Sequence, residues 1–319
     1  MKCLITEQFH ENLQIKLSDA GVECVVLEDI DTSGVLDIID GFDIIVVNSK
    51  IRMDRKMLDR AKKLKIIGRV GSGLEIIDLK VCSERQIAVF SAPEGNCTAV
   101  GEHSLALLLN LLHHISKAND EINRGIWQRE ANRGIELTGK TVGIIGYGHT
   151  GNAFAQMLHG FQVGILAHDK YKSNFGNDRV VESSLEEIYA QADIVSLHLP
   201  LTQETNFFAD RTFFEKFAKP IFLINTSRGS VCDTAALLNA IEVGKVLGAG
   251  LDVFENENWS LRSAEDHQLW EQIIASPKIL KTPHIAGWTS ESKLKLAEIT
   301  ANKIISELKR IRKDVNYSD

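Results

Sequence analysis

The sequence predicts an α/β protein of two domains, each a doubly wound parallel sheet. Three observations predict this fold class. Short apolar runs alternate with amphipathic stretches over roughly the first hundred residues, a strand runs into a glycine-rich turn almost halfway along the chain (VGIIGYGHTG, Val142–Gly151), and a second alternating series follows that turn. Strand–helix alternation is typical of a parallel sheet covered by helices, so both halves are expected to be α/β units.

The composition indicates a globular protein that can bury a sizeable core. The chain has 319 residues, of which 44% are hydrophobic and 25% charged, and this length fits two domains of ordinary size. The formal net charge of -7, without any dense Lys/Arg block, argues against a nucleic-acid partner, because phosphate backbones require a basic face.

The cysteines, the N-terminus and the apolar runs indicate the cellular compartment in which the protein is expected. Five cysteines are scattered without a C-x-x-C pair, which favours isolated thiols in a reducing compartment over a disulfide framework or a zinc site. The start, MKCLITEQFH, turns polar too soon for a signal peptide. The longest apolar run, LALLLNLL, is shorter than the roughly 20 residues that span a bilayer. We therefore expect a cytoplasmic protein with no membrane partner and no metal site.

The N-terminal part reads as an α/β unit without a glycine-rich phosphate turn after its first strand. The expected strands are KCLIT, ECVVLE, DIIVVN, KIIGRV and IAVFSA. The expected helices between them are QFHENLQIKLSDAG, MDRKMLDRAKK and LEIIDLKVCSERQ.

One long helix is expected from Thr98 to about Asn123, apolar on more than one face. Two interpretations stay open for it: a buried helix that connects the domains, or a helix at a subunit interface.

The second series begins after the glycine-rich turn and ends in a long amphipathic helix with basic residues near its end. Its expected strands are VGILAHD, DIVSLHLP, IFLINTSRG, VLGAGLDVF and KILKTPH. Its expected helices are AFAQMLHGF, SSLEEIYAQA, TFFEKFA, TAALLNAIEVG, DHQLWEQIIA and the final ESKLKLAEITANKIISELKRIRK.

The glycine-rich turn predicts a dinucleotide site of the Rossmann type. Gly146, Gly148 and Gly151 stand in G-x-G-x-x-G register after an apolar strand and before an amphipathic helix, and Asp169 closes the next strand about 20 residues on. Glycines let the backbone approach a pyrophosphate, and the helix N-terminus offers free N–H groups to it. A carboxylate accepts hydrogen bonds from ribose hydroxyls and repels a 2′-phosphate, so NAD is favoured over NADP.

Polar side chains at the carboxyl ends of the later strands predict the reacting groups, because ligands of doubly wound sheets bind there. These residues are His198, Pro200, Arg228, Asp252, Glu255, Glu257 and His284. The set suits hydride transfer between nicotinamide and a 2-hydroxy acid: His284 serves as acid/base, Arg228 clamps the substrate carboxylate, and a carboxylate orients the His. By position alone, Glu255, Glu257 and Glu265 all remain available for that last role, and His198 is favoured as a wall of the cofactor site.

The chain resembles the D-isomer-specific 2-hydroxyacid dehydrogenases over essentially its whole length. The segments that carry the resemblance are VGIIGYGHTG, NTSRGSVCD, LDVFENE and PHIAG. The resemblance implies a Rossmann NAD domain (99–286) inserted into a flavodoxin-like substrate domain (1–98 and 287–319). It also implies a homodimer formed through the NAD domain, which would explain the apolar helix after Thr98.

Roles for individual residues follow from the same resemblance. Arg228, Glu257 and His284 are implied as catalytic. The implied cofactor-binding residues are Gly146, Gly148, His149, Thr150, Gly151, Asp169, His198, Leu199, Pro200, Thr226, Ser227, Asp252 and Gly287.

The loop GRVGSGLEIIDL resembles the substrate loop of phosphoglycerate dehydrogenases. The backbone N–H groups of Ser72 and Gly73 would meet the substrate carboxylate, and Lys50 and Arg52 could supply charge for a phosphate. Three positions depart from the pattern: Asn48 stands where these enzymes often carry Arg, Ile76 where the family often has Asn or His, and Asn258, where Pro is usual, opens a longer Trp-containing segment (258–270).

The expected function is therefore that of an NAD-dependent D-2-hydroxyacid dehydrogenase acting on 3-phosphoglycerate at the entry to serine synthesis, with no regulatory domain after the last helix. An alternative enzyme is a reductase of glyoxylate, hydroxypyruvate or another 2-oxo acid. A different class is an NAD-sensing corepressor-like binding protein. Such proteins share the scaffold of the dehydrogenase family and resemble it at the positions of Arg228, Glu257 and His284.

Overall fold

The computed structural model describes residues 1–258, 260 and 263–316, and the chain divides into two compact units. One unit comprises Met1–Asn96 together with the chain from Trp288 onward, and the other comprises Cys97–Gly287. Each contains one parallel sheet with helices, which confirms the predicted fold class. Elements are numbered along the whole chain.

The first unit has a five-stranded parallel sheet of order β2-β1-β3-β4-β5, which is the flavodoxin-like order. Its strands are β1 (Lys2–Ile5), β2 (Glu23–Val26), β3 (Ile44–Val47), β4 (Ile66–Arg69) and β5 (Ala88–Ser91). Its helices are α1 (Asn12–Asp19), α2 (Thr32–Ile38), α3 (Arg55–Arg60), α4 (Leu79–Glu84) and α12 (Ser290–Asn316).

Helix starts and core packing in this unit follow from local sequence. Asp31, Asp54 and Asp78 each cap a helix by accepting from a backbone N–H three residues on. The sheet buries both of its faces, and one face packs against α12. A Cβ at Gly68 would lie 2.7 Å from Cδ1 of Ile304, so glycine there lets α12 pack closely on β4.

The second unit has a seven-stranded parallel sheet of order β12-β11-β10-β9-β6-β7-β8, the Rossmann order with an added strand. Its strands are β6 (Thr141–Ile145), β7 (Gly164–His168), β8 (Val181–Glu182), β9 (Ile194–Leu197), β10 (Ile221–Asn225), β11 (Val246–Leu251) and β12 (Ile279–Lys281). Its helices are α5 (Cys97–His113), α6 (Ile115–Asn123), α7 (His149–Met157), α8 (Leu185–Gln191), α9 (Arg211–Glu215), α10 (Thr234–Glu242) and α11 (Ala264–Ala275).

The expectation of one long helix from Thr98 to Asn123 is wrong. His114 takes a left-handed backbone conformation (φ 54°) and separates α5 from α6. Oδ1 of Asn110 accepts from the backbone N–H of Ser116 at 2.8 Å, so a side chain satisfies the first turn of the second helix. Helix α5 is largely buried on one face, whereas α6 buries none of its residues.

Some shorter elements also differ from expectation. Helices α3 and α4 are each shorter than their amphipathic patterns: both start only after their Asp caps, and both also end before the pattern does. Helix α2, of seven residues, and strand β8, of two, are not among the expected elements. In the predicted 258–270 segment, residues 259, 261 and 262 lie outside the described residues, as do 317–319 of the predicted substrate domain.

Candidate active site

The glycine-rich turn joins β6 to α7 and fits a pyrophosphate. Gly146 has a φ of 93°, and a Cβ there would overlap with the carbonyl of His198. A Cβ at Gly151 would overlap with the carbonyl oxygen of Gly146, whereas the space beside Gly148 is open. The turn is thus tight at its ends and accessible in its middle, next to the first N–H groups of α7 at His149 and Thr150.

Asp169 lies just after β7 and is held by backbone donors. Its Oδ2 accepts from the N–H of Tyr147 at 2.9 Å, and its Oδ1 accepts from those of Tyr171 and Lys172 at 3.0 and 3.1 Å. These bonds fix the carboxylate beside the glycine-rich turn. Oδ1 already accepts two bonds and Oδ2 only one, so a lone pair remains on Oδ2 to accept from a ribose hydroxyl.

His198 is buried after β9 and faces the same turn. Its Nε2 lies 2.8 Å from Oγ of Ser196, and its Nδ1 lies 3.3 Å from Oγ1 of Thr150. Burial lowers the pKa of His198 to about 3, so the ring is neutral near pH 7. Leu199 follows it toward Gly146, and the carbonyl of Pro200 accepts from Thr205. This geometry suits a wall residue and does not suit an acid.

The turn after β10 orients Arg228. Asn225 accepts at Oδ1 from the N–H and Oγ of Ser227 at 3.1 and 2.8 Å, and its Nδ2 donates to the carbonyl of Arg228 at 3.1 Å. Thr226 Oγ1 lies 2.9 Å from Oγ of Ser104 on α5. A Cβ at Gly229 would overlap with the carbonyl of Phe254, so glycine brings this turn against the chain that follows β11.

Asp252 at the end of β11 is fully buried and organises the chain after β12. Its Oδ1 accepts from Oγ1 of Thr282 at 2.6 Å and from the N–H of Ile285 at 2.9 Å. Its Oδ2 accepts from the N–H of Ala286, directly before Gly287, at 2.7 Å. The carboxylate thereby fixes the segment that carries His284.

His284 takes a left-handed conformation (φ 54°), which non-glycine residues adopt rarely. Its N–H donates to the carbonyls of Asp252 and Thr282 at 2.8 and 3.1 Å, which holds this backbone in place. Its Nδ1 lies 2.7 Å from Oε2 of Glu257. Because an ionised carboxylate only accepts, Nδ1 bears the proton and Nε2 is left for a substrate.

The electrostatic environment of His284 favours a protonated ring. The hydrogen bond with Glu257 raises the pKa of His284 above its ordinary value, while burial acts in the opposite direction. The charge of Asp252 raises this pKa further, and Arg228 is close enough to lower it.

The structure identifies which glutamate is the partner of His284. Position in the sequence alone left three glutamates available for this role. Glu255 instead accepts from the N–H of Thr234, so Glu257 is the glutamate paired with the ring.

Sequence reasoning missed His103, on α5. Its Nε2 lies 3.0 Å from Oγ1 of Thr282 and 3.6 Å from Oδ1 of Asp252. Since Thr282 donates to Asp252, its hydroxyl accepts from His103, and the three residues form a chain behind the segment of His284. No strand end or motif marks His103, and only the tertiary packing of α5 places it there.

In the first unit, the predicted substrate residues lie in loops after the adjacent strands β3 and β4. Ser72 donates from Oγ to Oδ1 of Asn96 at 2.9 Å, and Gly73 follows it. Lys50 and Arg52 are exposed after β3. Sequence reasoning also missed Arg69, whose guanidinium lies where a side chain on Gly71 would be, and which adds a cation to the loop of Ser72.

The NAD-binding domain of D-isomer specific 2-hydroxyacid dehydrogenases matches residues 105–286. The chain belongs to this dehydrogenase family. The matched region lies within the unit that contains the glycine-rich turn, Asp169 and the His284–Glu257 pair. NAD is therefore the cofactor of this unit, in agreement with the fit of the turn and of Asp169.

Three members of the dehydrogenase family illustrate the similarity. D-3-phosphoglycerate dehydrogenase of Archaeoglobus fulgidus is 33% identical over 97% of this chain and 58% of that protein. Hydroxypyruvate reductase of Thermotoga maritima is 32% identical over 89% of this chain and 90% of that protein. The crystal structure of D-lactate dehydrogenase from Aquifex aeolicus, complexed with NAD and lactic acid, is 26% identical with a TM-score of 0.85, over 98% of this chain and 97% of that one.

The chain spans about half the length of the D-3-phosphoglycerate dehydrogenases that it matches. Within the described ranges, none of the helices combines the length and apolarity that crossing a membrane requires. Nor do three or more His, Cys, Asp or Glu side chains converge on a possible metal position among the residues that the structure describes.

Proposed function

We propose that this protein is an NAD-dependent D-2-hydroxyacid dehydrogenase, with Arg228, Glu257 and His284 as its catalytic residues. The observation that carries the proposal is the 2.7 Å contact between His284 and Glu257, beside a fixed Asp252 and within electrostatic reach of Arg228. A proton donor and acceptor next to a cation is what the interconversion of a 2-hydroxy acid and a 2-oxo acid requires.

The predicted cofactor-binding residues would hold NAD, with Asp169 at the ribose and the start of α7 at the pyrophosphate. When bound, NAD accepts or supplies the hydride of the reaction at its nicotinamide ring. Asp252 fixes the chain at Ile285 and Ala286 through buried hydrogen bonds, which supports its implied role as a cofactor-binding residue.

The chain's own residues would move the proton and bind the acid. His284 takes the hydroxyl proton of the 2-hydroxy acid at Nε2, or donates a proton to the 2-oxo acid in the reverse direction. Glu257 holds the required tautomer and stabilises the imidazolium, as a carboxylate does for the histidine of hydrolase triads. Arg228 forms bidentate hydrogen bonds to the substrate carboxylate.

For the substrate we propose 3-phosphoglycerate and its 2-oxo product, 3-phosphohydroxypyruvate, at the entry to serine synthesis. The similarity to D-3-phosphoglycerate dehydrogenases supports this choice. So do the exposed cations Lys50 and Arg52 after β3, together with Arg69, which ends β4 and reaches the loop of Ser72, since a phosphate needs positive charge. The first unit would then be the substrate domain.

A second candidate is the reduction of hydroxypyruvate or glyoxylate. It is favoured by the hydroxypyruvate reductase of Thermotoga maritima, because the matched region there is 90% of the relative's length.

We further propose a homodimer formed through the NAD domain. Helix α6 and the chain after it expose apolar side chains: Ile115 (55%), Ile122 (53%), Ile126 (38%), Trp127 (79%) and Ile135 (39%). An apolar patch of this kind marks an interface.

We also propose a cytoplasmic location. The five free thiols support it, because thiols stay reduced in the cytoplasm.

The test of the substrate is NADH oxidation by purified protein with 3-phosphohydroxypyruvate, hydroxypyruvate, glyoxylate and pyruvate. We expect the highest kcat/KM with the phosphorylated acid. The Lys50→Ala/Arg52→Ala variant should raise KM for that acid at least about ten-fold and leave KM for hydroxypyruvate within about two-fold. Lys56→Ala, an exposed cation on α3, is the matched control.

Each outcome separates the candidates. Turnover of hydroxypyruvate or glyoxylate without the phosphorylated acid would overturn the substrate and keep the reaction. Bound NADH with no turnover of any acid would overturn the enzyme and favour the NAD-sensing binding protein.

A further inference from the structure

Cys3 and Cys24 are neighbours on adjacent strands of the first unit. They are partners in the parallel register of β1 and β2, where Lys2 also pairs with Glu23 and Leu4 with Val25. Neighbouring strands lie about 4.7–4.9 Å apart, and disulfides bridge Cα atoms separated by roughly 4.4–6.8 Å. The spacing of paired strands therefore falls within the Cα range that a disulfide bridges.

Their side chains lie on the same face of the sheet, in one hydrophobic cluster with α1 and α12. Cys3 is fully buried on an inner strand, whereas Cys24 is partly exposed on β2, at the edge of the sheet. Cys24 is thus the more accessible thiol of the pair, and Cys3 is shielded beside it.

The two thiols differ in acidity because they interact. The hydrogen bond with Cys3 lowers the pKa of Cys24 to about 7 despite the opposing effect of burial, and Ser18 contributes in the same direction. The same contact, together with burial, raises the pKa of Cys3. The thiolate is the nucleophilic form of cysteine, so this pair contains one nucleophile and one protonated neighbour.

The remaining cysteines provide contrast within the same chain. Burial raises the pKa of Cys82, in α4, to about 11, and also raises that of the buried Cys232. Cys97 begins α5 in the other unit.

We propose that Cys24 and Cys3 form a reversible thiol-oxidation site, in which Cys24 reacts with a hydroperoxide and Cys3 resolves the product as a cross-strand disulfide. The site is independent of the dehydrogenase activity, since neither residue belongs to the proposed catalytic or binding sets.

The chemistry balances with hydrogen peroxide as oxidant. The Cys24 thiolate attacks one peroxide oxygen, the O–O bond breaks, and the released hydroxide takes up a proton as water, which leaves a sulfenic acid. The sulfur of Cys3 then attacks that of Cys24, the S–O bond breaks, and the hydroxide leaves with the Cys3 proton as a second water. Two electrons pass from the two thiols to the peroxide, and a dithiol reductant reverses the bond by exchange.

The test is peptide mapping of the full chain after exposure to hydrogen peroxide and blocking of free thiols. Trypsin cuts after Lys2, Lys16 and Lys50, so Cys3 and Cys24 lie in the peptides 3–16 and 17–50. We expect these two peptides to be disulfide-linked before reduction and separate after dithiothreitol. Before oxidation, iodoacetamide at neutral pH should label Cys24 at least about ten-fold faster than Cys82.

Matched variants assign the two roles. In Cys3→Ser, Cys24 should accumulate as a sulfenic acid that dimedone captures, whereas Cys82→Ser should keep the linkage. Cys24 oxidised in the native chain without a link to Cys3 would overturn the proposal, and so would labelling of Cys24 no faster than of Cys82. Both readouts on the native chain remain decisive even if a variant fails to fold.

Discussion

Nδ1 of His284 and Oε2 of Glu257 lie 2.7 Å apart, although the two residues are 27 positions apart in the chain. His284 enters this contact in a left-handed conformation that Asp252 holds through backbone hydrogen bonds. The pair thus depends on a buried carboxylate and a sterically unusual backbone. A site that keeps such a conformation is typical of pre-organised chemistry.

Glu257→Gln should move the pH profile to lower pH. Reduction of a 2-oxo acid needs a protonated His284, so its rate is lost as the pH rises through the pKa of that ring. Glu257 raises this pKa, and removing its charge lowers it. The rate of NADH oxidation between about pH 5 and 10 should therefore fall earlier in the variant, with kcat lower by roughly ten- to hundred-fold. An unshifted midpoint would contradict the role of Glu257 as the partner of His284.

Arg228→Lys should lower kcat/KM for the 2-oxo acid by about a hundred-fold or more. A lysine keeps the charge but cannot reproduce the planar fork that pairs with a carboxylate. Arg133→Lys is the matched control, because Arg133 pairs with Glu130 at the surface and both side chains are exposed. Equal activity of the two variants would contradict a substrate-binding role for Arg228.

Glu204→Gln should relax the preference for NADH over NADPH. Lys170 follows Asp169 directly, and its Nζ donates to Oε1 of Glu204 at 2.8 Å, while Tyr171 donates to Oε2 at 2.5 Å. Glu204 therefore neutralises the cation that would attract a 2′-phosphate. Fluorescence titration should give a several-fold lower Kd for NADPH in the variant and little change for NADH.

Glu215→Gln, which breaks the exposed pair with Arg211 on α9, is the control for that titration. A parallel change in both variants, or none in either, would show that Glu204 does not set the preference.

Gly229→Ala should destabilise the NAD domain by about 1–3 kcal/mol, because its Cβ would overlap with the carbonyl of Phe254 and force the turn of Arg228 to move. Gly160→Ala is the control, since a Cβ there meets nothing within 4 Å. Urea unfolding measures the difference, and equal stability of the two variants would argue against the close approach.

Features set by local chemistry could be predicted from the sequence. The glycine-rich turn needs Gly146 and Gly151 for steric reasons that any Rossmann turn shares, so its strand, turn and helix were predictable. Both parallel sheets were predictable as well, because the alternation of apolar runs and helical patterns is itself a local feature of the sequence. The family motifs then led to the His284–Glu257 pair.

Features set by tertiary packing could not be predicted. The break at His114, although local, has no glycine or proline to signal it, and the side chain of Asn110 caps the helix that follows. His103 reaches Thr282 only because α5 packs beside β11, and the pairing of Cys3 with Cys24 depends on the strand register. Sequence periodicity contains none of these contacts.

The most direct test compares His284→Ala with the native chain in NADH oxidation by a 2-oxo acid and, separately, in NADH binding. His159→Ala, an exposed histidine after α7, is the control. We expect a loss of turnover of at least about a thousand-fold in His284→Ala, with the Kd for NADH within a few-fold of the native value. Near-native turnover, or loss of NADH binding together with turnover, would contradict the role of His284 as the acid/base.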